Sequence, residues 1–257
     1  MSVRDAPVDP VSARTDDATW RRRVQSDADQ IERCLPPGLR RLHSAVVERA
    51  RLAGARALIL SGSTVRNSRT ELSDLDYHLV GSKIETKDLS RELDLHVLTE
   101  DKLESELLAG DDFVQWSLRF GLLVFDDGVI RRALGLIAER RPWPSVARKR
   151  LHAEKSLELA RRFVDTGDQD GALMQVRTAL SLAARARLLD AGTFPLSRAE
   201  LPAQLEAIGC PEAARGLAAT IYTSPDLAEL STAVRHGAEL ISGMGELADS
   251  KPTDQWS

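Results

Sequence analysis

The stretch Leu58-Ile59-Leu60-Ser61-Gly62-Ser63-Thr64-Val65-Arg66-Asn67-Ser68-Arg69-Thr70-Glu71-Leu72-Ser73-Asp74-Leu75-Asp76 passes from an apolar run through a polar turn into alternating polarity. Ala57–Leu60 suits a buried strand entering a tight turn at Ser61-Gly62-Ser63. Leu75–Val80 and Leu93–Leu98 alternate as strands do. Asp74 and Asp76 lie two apart at a strand start, which points both carboxylates to the same face. Neighbouring carboxylates repel unless a cation lies between them. Magnesium takes oxygen ligands and keeps positions for phosphate and water. Asp94, on the next alternating segment, offers a third carboxylate. Gly62 allows close approach of the backbone to a phosphate. Ser63 adds a hydroxyl and amides at an expected helix start, and Arg66, one turn into that helix, is placed to neutralise phosphate charge.

Residues 1–16 lack apolar periodicity and are expected to form a disordered tail. Trp20, Val24, Ile31 and Leu35 recur at helical spacing until Pro36-Pro37-Gly38 ends the pattern. Leu39, Leu42, Val46, Ala50 and Ala53 mark a second helix, closed by Gly54. Downstream, Asp111–Arg119 reads as helix, Leu122–Phe125 as strand and Val129–Glu139 as helix. After Pro142-Trp143-Pro144 no strand pattern occurs. Ala153, Leu157, Ala160 and Val164 form one helical stripe; Leu173, Val176, Leu180 and Ala183 form another. Shorter helices are expected over Ser197–Ile208, Pro211–Thr220 and Pro225–Met244. The expected organisation is an α/β domain over 17–141, with a small mixed sheet and helices, followed by an all-α helical bundle over 142–250.

The order of apolar strand, Gly-Ser, ten intervening residues and Asp-apolar-Asp resembles the DNA-polymerase-β-like nucleotidyltransferase superfamily. Within it the pattern is most similar to the small bacterial branch of minimal nucleotidyltransferases and antibiotic adenylyltransferases. The resemblance covers about Ala57 to Asp127. It implies two Mg2+ ions and ATP as nucleotide donor, with Asp74, Asp76 and Asp94 as metal ligands and catalytic residues. Gly62, Ser63, Arg66 and Ser73 are the corresponding candidates for holding the nucleotide. Only 17 residues separate Asp76 from Asp94, leaving little room for the helix that commonly intervenes.

The implied reaction moves a nucleoside monophosphate, AMP first, onto an acceptor hydroxyl, with the helical half expected to wall the acceptor cleft. The partners are then a nucleoside triphosphate and an acceptor. A small molecule of the aminoglycoside type is favoured over protein or RNA. Residues 144–195 carry nine Lys or Arg against six Asp or Glu, and the four tryptophans are dispersed, which makes a poor nucleic-acid surface. The alternative is a low-turnover nucleotide-binding regulatory protein, for example an antitoxin-like partner; three carboxylates are more than such a protein needs.

Other classes are disfavoured by composition. The 257 residues are 42% hydrophobic and 29% charged with a net charge of −4, an ordinary globular mixture. Apolar runs fall far short of the ~20 residues that span a bilayer, and MSVRDAPVDP has no secretory apolar stretch, so a cytoplasmic location is expected. Cys34 and Cys210 are too few for a disulfide framework or zinc knuckle. Some helical partner domains of minimal nucleotidyltransferases are ribonucleases with an Arg, four to six residues, then His. His152 and His236 lack that arginine, while Arg91 and His96 match the spacing on an expected strand segment. His78 and His96 are expected in hydrogen-bonded structural roles near the carboxylates. Glu154 and Glu158 are expected in helix-surface ion pairs rather than as a general base.

Overall fold

Ala57–Ser61 (β1) is buried at every residue, as a strand covered on both faces must be. The protein is described by a computed structural model over residues 17–66, 68–69, 73–89, 92–140 and 142–244. In it β1 joins Leu75–Val80 (β2), Leu93–Leu98 (β3) and Leu122–Asp126 (β4) in a mixed sheet of order β3-β2-β1-β4. β1 is antiparallel to both neighbours; β2 and β3 are parallel.

Register sorts the side chains. Ser61 pairs with Asp76 and Ile59 with His78, while Asp76 pairs with Asp94 and His78 with His96. These residues therefore share one face, and Leu58, Leu60, Tyr77 and Leu79 the other. The first face is covered by Asp17–Cys34 (α1), Glu100–Leu108 (α4), Asp112–Phe120 (α5) and Val129–Arg140 (α6). Trp20, Leu103, Leu107, Val114, Leu118 and Ile130 pack there with Ile59, Val80 and Leu98. Arg40–Leu52 (α2), which follows a 3-10 turn at Pro37–Leu39, meets the second face: His43 Nδ1 and the Tyr77 hydroxyl are 2.6 Å apart. Ala53 of the expected stripe is exposed beyond its end.

Three features escape apolar periodicity. Helix α4 occupies a segment with no predicted element; Thr99 Oγ1 accepts from Lys102 N at 3.2 Å, and Leu103 and Leu107, one turn apart, supply its buried stripe. The helix after Gly62 is only Gly62–Val65 (α3), so Arg66 ends it instead of lying one turn inside. Third, the β2–β3 crossover runs from residue 81 to 92 with no helix among its described residues. It is tied to α2: both Arg49 Nη atoms reach the Asp88 carboxylate at 2.6 Å, and Ser82 Oγ donates to Ala53 O at 2.8 Å.

The chain divides into two compact units between Trp143 and Pro144. The second consists of Val146–Thr166 (α7), Gln169–Asp190 (α8), Leu201–Ala207 (α9), Pro211–Tyr222 (α10) and Leu227–Ser242 (α11), with no strand among its described residues. Its core is rich in alanine: Ala153, Ala160, Ala179, Ala183 and Ala184 are fully buried with Leu157, Leu180, Leu217 and Leu230. Small side chains let helices approach closely, and at Gly237 an added Cβ would lie 2.9 Å from Leu157 Cδ2. The helix expected from Ser197 begins at Leu201; before it Ser197 Oγ donates to Glu200 at 2.6 Å in a turn. No helix among the described residues is long and apolar enough to cross a membrane.

Candidate active site

Strand β1 ends in extended backbone at Ser61, and the chain then turns at Gly62 with φ +71°. Only glycine fits here. A Cβ would enter the left-handed region and collide with the Asp76 carboxylate, whose Cγ would be 2.6 Å away. The carboxylate thus lies directly on the Gly62 backbone. Ser61 Oγ donates to Asp76 O at 3.4 Å, holding the two strand ends together. Ser63 is half-buried, and its carbonyl accepts from Arg66 N and Ser68 N at 3.3 and 3.1 Å.

The three carboxylates are not equivalent. Asp76 is half-buried, whereas Asp74 and Asp94 are exposed. Burial, then the charges of Asp94 and Asp74, push the Asp76 carboxyl up to about 6, against a lowering by Arg69. The charges of both neighbours thus reach Asp76. All their donors are hard oxygens, which suit magnesium, and the repulsion that adds to burial in raising Asp76 is what a divalent cation would cancel. Even so, no group of three or more His, Cys, Asp or Glu among the described residues stands ready to hold a metal ion. The exposed side chains of Asp74 and Asp94 have to close on Asp76 for the set to serve.

The nucleotide candidates divide. Gly62 and Ser63 adjoin Asp76. Ser73 is half-buried just ahead of β2. Arg66 is corrected in position: with α3 a single turn, its guanidinium lies over the Phe120 ring, 5.4 Å from the centroid. Arg69 is the cation sequence reading passed over; its Nη1 donates to Asp74 O at 2.9 Å. Asn67, Thr70, Glu71, Leu72 and Arg91 lie outside the described residues. In the second unit, Glu154 pairs with Arg150 at 3.0 Å and Glu158 with Arg162 at 3.2 Å, the expected helix-surface ion pairs.

Two residues along the strands from the carboxylates lies a cluster that sequence reading caught only in part. Buried His78 has Nε2 2.7 Å from Ser117 Oγ, and that hydroxyl donates to Phe113 O at 3.1 Å. The single hydroxyl proton is therefore spent, so His78 Nε2 carries the hydrogen toward Ser117. Burial and the nearby His96 drop the His78 pKa to about 3, which keeps the ring neutral. The His78 and His96 rings are 5.1 Å apart, and Phe113 packs on both at 4.7 and 5.3 Å. His96 Nε2 is buried without a hydrogen-bond partner. The i, i+4 spacing of Phe113 and Ser117 was the available signal, but a lone serine on an apolar helix announces nothing.

No family model matches the chain, and no curated protein matches it. Among solved structures it is similar to a nucleotidyltransferase-like protein from Exiguobacterium sibiricum 255-15. The identity is 17%, over 78% of this chain and 73% of that one, with a TM-score of 0.41.

Proposed function

We propose that the chain is a magnesium-dependent nucleotidyltransferase that moves a nucleoside monophosphate, AMP from ATP first, onto an acceptor hydroxyl. One observation carries the reading: Asp76 rests on the Gly62 backbone with Asp94 in register beside it and Asp74 two residues before. Asp74, Asp76 and Asp94 are the residues that would hold the metal. Bound magnesium supplies charge neutralisation for the triphosphate and lowers the pKa of an acceptor hydroxyl.

The chain's own contribution is positional. Gly62 lets the Asp76 carboxylate sit directly on the turn backbone, and Ser63 adds a hydroxyl beside it. Arg69, whose charge already acts on Asp76, offsets phosphate charge at the same end of the sheet. Half-burial of Asp76 strengthens each of these interactions over its value in water. A small hydroxyl-bearing acceptor of the aminoglycoside type is preferred to protein or RNA, given the weak basic excess confined to residues 144–195 and the dispersed tryptophans.

A second reading, a nucleotide-binding regulator of low turnover, is favoured by one observation, the exposed and ungathered Asp74 and Asp94. Pyrophosphate release separates the two. The protein with magnesium, each nucleoside triphosphate and a panel of hydroxylic acceptors should release pyrophosphate in an acceptor-dependent way. Nucleotide binding without release across the panel would establish the regulator instead.

A further inference from the structure

Phe113 is 51% exposed although it sits in the first turn of α5 beside a buried cluster. One side of its ring is fixed against His78 and His96, and the rest faces solvent. Its backbone is held as well. Asp111 accepts from Phe113 N at 3.0 Å, and Ser117 Oγ donates to Phe113 O. A large ring kept rigid and left partly bare is a stacking surface whose ordering cost is already met.

Its place relative to the carboxylates matters. His78 and His96 follow Asp76 and Asp94 by two residues on the same sheet face, which sets the ring cluster ~7 Å along the strands from the acidic end. That is about the span of the sugar joining a base to its first phosphate.

From these observations we infer that Phe113, backed by His78 and His96, is the platform on which the base of the nucleotide stacks. The inference rests on the nucleotidyltransferase reading, since it needs the triphosphate at Asp74, Asp76 and Asp94. It assigns base recognition to the α/β unit itself. Stacking alone tolerates any base.

The test is calorimetric titration of the full chain, in magnesium, with ATP and with inorganic tripolyphosphate. Wild-type protein should bind ATP more tightly than tripolyphosphate. Phe113→Ala should weaken ATP about tenfold while leaving tripolyphosphate within about twofold, and Phe113→Trp should restore ATP binding. Phe113→Leu keeps the bulk without the ring and should behave like the alanine variant, which guards against a folding defect. Equal weakening of both ligands, or no change in either, overturns the platform and leaves the phosphate site standing. Wild-type protein that binds neither ligand overturns the platform and the nucleotidyltransferase reading together.

Discussion

Asp76 carries the sharpest consequence of the geometry. Its proton leaves the unfolded chain near pH 4 and the folded chain near 6. Between those values the folded state binds more protons, so stability falls as pH rises and the loss is complete above pH 6. Asp76→Asn removes that penalty. Urea denaturation should find the variant more stable than wild type by on the order of 1–2 kcal/mol at pH 7.5, after allowance for solvent screening, and equal to it below pH 4. Magnesium should raise the wild-type melting temperature at pH 7.5, do so less at pH 5, and have little effect on the variant.

His78 acts in the opposite sense. The unfolded histidine takes a proton near 6.5 and the folded one only near 3, so its contribution is full above 6.5 and is lost as pH falls. His78→Gln, which keeps an N–H for Ser117, should flatten the acid limb of the stability profile while leaving the alkaline side in place. At this scale Gly62 and the Asp74-Asp76 pair were readable in sequence because turn chemistry and period-two spacing are local. Ser117, Phe113 and the Asp76–Asp94 register were not, because they arise from elements that meet only in the folded sheet.

Among the elements, strands β2 and β3 were legible because Leu75–Leu79 and Leu93–Val97 alternate in polarity. Their parallel pairing could not be foreseen: a crossover from 81 to 92 without a helix offers no periodic signal. Helix α4 escaped because two leucines make a thin stripe, although Thr99 with Glu100 and Asp101 is a recognisable start. The β1–α3 turn is the element on which the site depends most. Gly62→Ala forces a Cβ into the space of the Asp76 carboxylate, and the left-handed backbone alone costs about 1–2 kcal/mol. Thermal denaturation should show at least that loss, and nucleotidyl transfer should fall by more than the folded fraction does.

For the whole molecule, the two cores share no residue: one gathers on the sheet, the other among α7 to α11. The expected boundary was 141/142, where Pro142-Trp143-Pro144 interrupts the helical stripes; the compact units divide between Trp143 and Pro144. A fragment comprising residues 144–244 should therefore fold alone, with strong helical circular dichroism and a cooperative thermal transition. A broad, non-cooperative melt would show that the helical unit lacks a self-sufficient core.

The role proposed for Asp76, over Gly62 and beside Asp94, is in nucleotidyl transfer. Its most direct test follows label from α-phosphate-labelled ATP into an acceptor, in magnesium, with wild type and Asp76→Asn side by side. That role predicts transfer by wild type and a loss of at least about a hundredfold in a variant that remains folded. Equal transfer by the two proteins would contradict it.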